Sequence, residues 1–266
     1  MRRILKRILV MALVAAVLVP VVPAQALYYN GSSSYESGKY YQNLTEVVLT
    51  GDPRVDIVNI AMSQLGYQEG GSQNQLSGEV YGGVNHTEFG RWYGMQDMWC
   101  AMFVSWCANT AGISENVIPH HSYTPNGLNW FIKRGRAWSR EQLLAGEYTP
   151  QPGDVIYFRS SRNKNKTNHV GLVTSYANGV IQTIEGNVGS TDTASNGGMV
   201  TAKSYPLTNV YVVYVCSPDY AYGGTNVPQR PAPPADPEAV VRETMEDTAA
   251  TIRQAMEQMK NALPRF

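Results

Sequence analysis

The chain has 266 residues, 43% of them hydrophobic, with 21 basic and 21 acidic side chains. That length suits one large domain or one medium domain with extensions. The balanced charge leaves no basic stripe to neutralise phosphates, which excludes nucleic acid as an expected partner.

Arg2, Arg3, Lys6 and Arg7 precede an apolar run at residues 8–22, which is followed by Ala24-Gln25-Ala26. This is the pattern of a secretory signal peptide over residues 1–26 with an A-x-A site, and its run of about 15 apolar residues is short against the roughly 20 of a spanning helix. The mature chain is expected to begin at Leu27. Without the four basic residues of the leader it keeps 17 basic against 21 acidic side chains, a net charge of about −4.

Residues 27–52 are rich in Tyr, Ser and Gly, lack a sustained period, and read as a loosely ordered arm. A first helix is predicted over residues 53–65. Asp52 can cap it, Pro53 suits the first helical position, and Val55, Val58, Ile60, Ala61, Met62 and Leu65 supply its buried side before Gly66 ends it. A Gly-rich polar stretch then leads through GRWYG at residues 90–94 to DMWCAMFVSWCANTAG at residues 97–112. There Met102, Phe103, Trp106 and Cys107 follow Cys100 at helical intervals and Gly112 stops the run. A largely buried helix is therefore expected, with Cys100 in its first turn and Asp97 placed to cap it.

Beyond a loop with His120 and His121 the pattern turns to strands. PGDVIYF at residues 152–158 comes first, then HVGLVTSY and VIQTIEG on either side of Asn178-Gly179, then a last strand over residues 210–215. Helices first and antiparallel strands after make an α+β domain over residues 53–218. Residues 219–237 include VPQRPAPPADP, a stiff Pro-rich linker. Residues 238–266 read as a separate amphipathic helix, with Met245, Ile252 and Met259 seven apart; its narrow apolar stripe suits self-association or an envelope contact.

A cysteine early in an apolar helix is more often a packing residue than a nucleophile. The nucleophilic reading rests on general chemistry: the first turn of a helix offers backbone N–H groups and a positive dipole end that favour a thiolate, and an imidazole can pair with it and later protonate a leaving amine. His86, His120, His121 and His169 compete for that role. His169 opens a strand at a sheet edge, behind the polar loop SSRNKNKTN, and Glu185 and Asn187 on the next strand are the groups available to orient it. Neither a C-x-x-C pair nor an H-E-x-x-H helix occurs, so no metal and no cofactor is expected.

Register decides whether those strands can cooperate. A strict two-residue turn at Asn178-Gly179 would pair His169 with Val188 and turn Glu185 to the opposite face. A three-residue loop over residues 177–179, pairing Tyr176 with Val180, or an equivalent bulge, places Asn187 across from His169 and Glu185 on its face at a diagonal. The odd loop or the bulge is the expectation, with Glu185 or Asn187 hydrogen bonded to the ring.

The ordered set WCAMFVSWC, PGDVIYF, NHVGLV and TIEGN resembles the CHAP family, the cysteine, histidine-dependent amidohydrolases/peptidases of cell-wall enzymes, over roughly residues 64–187. The resemblance implies a papain-like fold with N-terminal helices packed on an antiparallel sheet, and hydrolysis of an amide bond in peptidoglycan by a bacterial protein that is secreted or associated with the wall. It implies Cys100 as nucleophile, His169 as base and Glu185 as the residue orienting it, with Asn187 assisting. Gln96 and Tyr93 are the candidates to complete an oxyanion hole with the Cys100 backbone N–H. The acidic calcium-binding loop that some relatives carry ahead of the cysteine is not visible, so the family implies no metal here either.

Whether the bond is the muramoyl-L-alanine amide or lies within the peptide stays open. Two further readings stand beside the hydrolase: a non-catalytic envelope-binding or structural protein on the same scaffold, and a cysteine amidase or peptidase acting on a non-wall amide. Cys100 and Cys107, about 10.5 Å apart along one helix, cannot bridge each other. Cys107 and Cys216 are expected as buried free thiols, a disulfide between them being the alternative.

Overall fold

The computed structural model describes residues 30–159, 167–189 and 197–221. The leader, nearly all of the Pro-rich linker and the C-terminal amphipathic helix expected from sequence lie outside these residues. Chain order runs α1 (Ser33–Glu36), α2 (Lys39–Thr45), α3 (Pro53–Ser63), α4 (Glu88–Tyr93), α5 (Cys100–Thr110), α6 (Thr124–Ile132), β1 (Ala137–Ser139), α7 (Arg140–Leu144), β2 (Val155–Arg159), β3 (Thr167–Ala177), β4 (Val180–Val188), β5 (Met199–Pro206) and β6 (Val212–Cys216). The strands form one antiparallel sheet in the order β1-β6-β2-β3-β4-β5. The α+β class is therefore as expected.

Helix α3 starts as its sequence dictates. Asp52 accepts the Arg54 N–H at 2.8 Å, Pro53 occupies the first turn, and Val55, Ile57, Val58, Ile60 and Ala61 are buried. Residues ahead of it depart from the expected loose arm. Tyr35 on α1 and Tyr40 and Leu44 on α2 are buried in the main core; the Tyr35 hydroxyl donates to Gln64 Oε1 at 2.8 Å, and its ring stands edge-on to Trp106. Helices of four and seven residues are too short to display a period, so their large aromatic burial had no pattern to announce it.

Two apolar layers sandwich the sheet. Val155, Tyr157, Val170, Leu172, Ile184 and Cys216 face the helices, while Ile156, Phe158, Val173, Ile181, Tyr205, Val212 and Val215 form a second cluster that Leu143 of α7 joins. With both faces covered, β2 is a continuous apolar run. Phe158 on β2 and Tyr205 on β5 bring their rings within 4.8 Å although two strands separate them in the sheet, so the sheet curls around this second cluster.

The β3–β4 hairpin closes on two residues: Ala177 pairs with Val180, and Asn178 and Gly179 take φ values of 51° and 76°. The three-residue loop is thus not what forms. The register slips instead between Val173 and Ser175, where Thr174 is the extra residue, so that Val173 pairs with Thr183 and Leu172 with Ile184. A bulge below the turn produces the shift that an odd loop would have produced.

The core also runs past the expected boundary at residue 218. Tyr220 donates to the Gly153 carbonyl at 2.6 Å and lies under the Arg54 guanidinium at 4.8 Å, and Arg136 pairs with Asp219 at 2.7 Å. Arg54 in turn bonds Asp154 and Ser217, tying α3, β2 and the chain after β6 together.

Candidate active site

Helix α5 is apolar on all sides, and every residue of it except Asn109 is buried, as such a helix must be. Its N-cap is Trp99, which offers no side-chain cap. Asp97, the expected cap, accepts the N–H of its neighbour Met98, at 2.7 Å; it stands two residues ahead of the N-cap Trp99, and the helix begins too far on for the carboxylate to cap its first turn. Cys100 opens the helix at 5% exposure, beside first-turn N–H groups that no side chain caps.

Glycine fixes where α5 meets the sheet. A Cβ at Gly186 would stand 2.7 Å from Trp99 Cζ3 and 2.8 Å from Phe103 Cβ, so only a bare backbone lets the start of the helix settle on β4. A second glycine makes room for the acid: a Cβ at Gly171 would stand 2.5 Å from Glu185 Cγ. The Thr174 bulge has turned Glu185 to the His169 face, and the space above Gly171 lets its chain cross diagonally toward the ring.

His169 Nε2 and Glu185 Oε2 are 2.7 Å apart, and both side chains are buried. The Thr183 and Tyr205 hydroxyls also donate to Glu185, the latter at 3.3 Å. A carboxylate only accepts, so the ring presents Nε2–H to Glu185 and leaves Nδ1 as the nitrogen open to another group, and the Cys100 side chain is near enough to raise the ring's proton affinity. Burial by itself pulls the imidazole pKa down. The Cys100 side chain and then the bond and charge of Glu185 outweigh it, and the net result is a rise from 6.5 to about 10. The site therefore favours an imidazolium facing the cysteine. Phe158 packs its ring 5.7 Å from the imidazole and closes another side.

The other histidines serve elsewhere. His121 is buried, with Nδ1–H directed at the Pro119 carbonyl at 2.9 Å and Nε2 accepting from the Tyr157 hydroxyl at 3.3 Å; burial lowers its pKa, so it is a neutral packing group. His120 pairs with Glu115 at 3.1 Å and stands edge-on to Trp92, and burial lowers its pKa as well. His86 lies 2.8 Å from the Gln96 amide, which also donates to the Val84 carbonyl at 3.2 Å. Gln96 is thus turned to the 84–86 loop. Tyr93 is half-buried at the end of α4 beside Trp92. Asn187 sits at an irregularity in the β4–β5 pairing with φ of 60°, and its Oδ1 accepts the Gly198 N–H at 3.4 Å.

All three cysteines are free. Burial pushes the Cys107 and Cys216 thiols well up, which leaves them protonated and inert. Among the described residues no group of three or more His, Cys, Asp or Glu side chains is arranged to hold a metal ion.

Sequence reasoning missed Thr183 and Tyr205 as partners of Glu185, the two glycines at the contacts, and Glu69, whose buried carboxyl accepts the Trp99 indole N–H at 3.0 Å. The glycines were visible within the motifs HVGLV and IEGN; Glu69 stands in a polar stretch without a period.

Compared with known proteins, residues 92–187 match the family model described as the CHAP domain. The match takes in Cys100, His169, Glu185 and Asn187 and stops short of β5 and β6. No curated protein and no solved structure matches the chain.

Proposed function

We propose that this chain is an exported cysteine amidohydrolase that cleaves an amide bond of peptidoglycan, with Cys100 as nucleophile, His169 as general base and acid, and Glu185 holding the ring. One observation carries the reading: the buried imidazole lies between a thiol at a helix start and a carboxylate on the neighbouring strand. The CHAP domain match supplies the substrate class, and the leader-like residues 1–26 support export.

In this mechanism the Sγ proton already sits on Nδ1 of His169 as a thiolate–imidazolium pair, and the thiolate adds to the substrate carbonyl. The oxygen becomes negative and receives the Cys100 backbone N–H, which no side chain occupies. The imidazolium then protonates the leaving amine, and a thioester remains on Sγ. Water, deprotonated by the same ring, hydrolyses the thioester and regenerates the thiol. Glu185 accepts from Nε2–H throughout, so the ring cannot turn its other nitrogen to the sulfur.

The test is to incubate the protein with purified peptidoglycan and identify new ends by mass spectrometry. New amines on L-alanine indicate the muramoyl amide, and ends within the stem or bridge indicate an endopeptidase. Cys100→Ala should abolish either product while leaving the circular dichroism spectrum unchanged. Retained turnover in that variant, or no new ends with the unaltered protein, would overturn the reading.

A further inference from the structure

The residue before the proposed nucleophile is held by a carboxyl group that the proposed mechanism does not use. Trp99 is fully buried, and its indole N–H donates at 3.0 Å to Oε2 of Glu69, itself 1% exposed. The Glu69 backbone is tied on both sides: its N–H donates to the Gly198 carbonyl and its carbonyl accepts the Gly82 N–H, each at 2.8 Å. Gly198 has φ of 74°, and a Cβ there would stand 2.9 Å from Glu69 Cδ and 2.5 Å from the Tyr81 ring, so this glycine makes the pocket for the carboxyl. The Gly198 N–H in turn donates to Asn187, two residues past Glu185.

These contacts make one chain of fixed groups. Trp99 rests on bare Gly186 of β4 on one side and is hydrogen bonded to Glu69 on another, and Glu69 is hydrogen bonded to the segment that grips the β4 bulge. Cys100 follows Trp99 and Glu185 precedes Gly186. Any slide of the helix start along β4 must therefore break the indole bond before it can separate the thiol from the imidazole. We infer that Glu69 is a positioning residue for the nucleophile, acting through the Trp99 indole to hold the start of α5 in register with the strand that carries Glu185. This rests on the catalytic reading above.

The experiment compares Glu69→Leu, Glu69→Gln and Trp99→Phe in the full chain. Two quantities are read: kcat and KM on soluble muropeptides, and the pH dependence of iodoacetamide alkylation at Cys100, followed by peptide mass spectrometry. Leu removes the acceptor, Phe removes the donor with the ring kept, and Gln keeps an acceptor in place. The expected result is a fall in kcat of about 10²-fold for the Leu and Phe variants, the size of loss that small misplacement of a reacting group produces. KM should be nearly unchanged, alkylation below pH 7 should slow in parallel, and the Gln variant should recover most of both rates.

Unchanged kcat and alkylation in Trp99→Phe would overturn the inference. So would losses that scale only with the folded fraction measured by circular dichroism, because a merely structural bond changes how much protein is folded and not how reactive each folded thiol is. Absence of both turnover and rapid alkylation in the unaltered protein would instead remove the catalytic reading, and this inference with it.

Discussion

At His169 the charge state is set by neighbours, and that makes it testable by pH. The folded-state pKa is raised to about 10, against 6.5 for the free ring, so the charged ring contributes stability that is fully present below about pH 6.5 and is lost as pH rises through about 10. Glu185→Gln removes a charge that holds the ring protonated. The basic limb of the kcat profile, where the imidazolium loses the proton it gives to the leaving amine, should move to lower pH, and kcat should fall by about 10²- to 10⁴-fold, the range of general acid–base contributions. An unshifted profile would show that Glu185 does not govern the ring. This acid, the histidine and the cysteine were legible in the sequence because each is a chemically distinctive side chain inside a short local pattern. Glu69 was not, because it meets Trp99 across thirty residues and comes from a Gly-rich stretch with no period.

Among elements, the contact of α5 with β4 is the one on which the site depends. Gly186→Ala puts a methyl group within 2.8 Å of both Trp99 and Phe103, neither of which is free to retreat from a full core. Such overpacking costs about 1–3 kcal/mol, and displacement of the helix start should lower kcat by about 10²-fold. Thermal unfolding and turnover measured together check both. A fall in Tm without a fall in specific activity would place the helix start elsewhere than the structure does. Elements with a long period or a marked turn were readable: α3, α5 and the β3–β4 hairpin. The short ones were not. Helices α1 and α2 have too few residues for a stripe, and β5, the last strand of the sheet, carries Lys203 and Ser204 side by side, which breaks a strict apolar alternation.

Over the whole molecule, the order of strands followed from long-range pairing that no local pattern encodes; β6 lies between β1 and β2 although five elements separate it from β1 in sequence. The same long-range closure fixes where the domain ends. Truncation after Pro218 removes the Asp219 pair and the Tyr220 clamp on Gly153 and Arg54, whereas truncation after Ala221 keeps them. The shorter protein should lose about 1–2 kcal/mol, which lowers Tm by about 2–8 °C; equal Tm values for the two would show that the clamp contributes nothing. The Thr174 bulge carries a different kind of consequence, for editing the chain. Side-chain facing in the lower hairpin is counted from the bulge, below the turn, so a peptide tag or affinity epitope spliced between Asn178 and Gly179 leaves His169 and Glu185 on the same face whatever its length. Removal of the single residue Thr174 would reverse that parity and point the acid away from the ring. The tip is thus a grafting port, and a few residues beneath it lies a position where the reading frame of the sheet can be broken by one deletion.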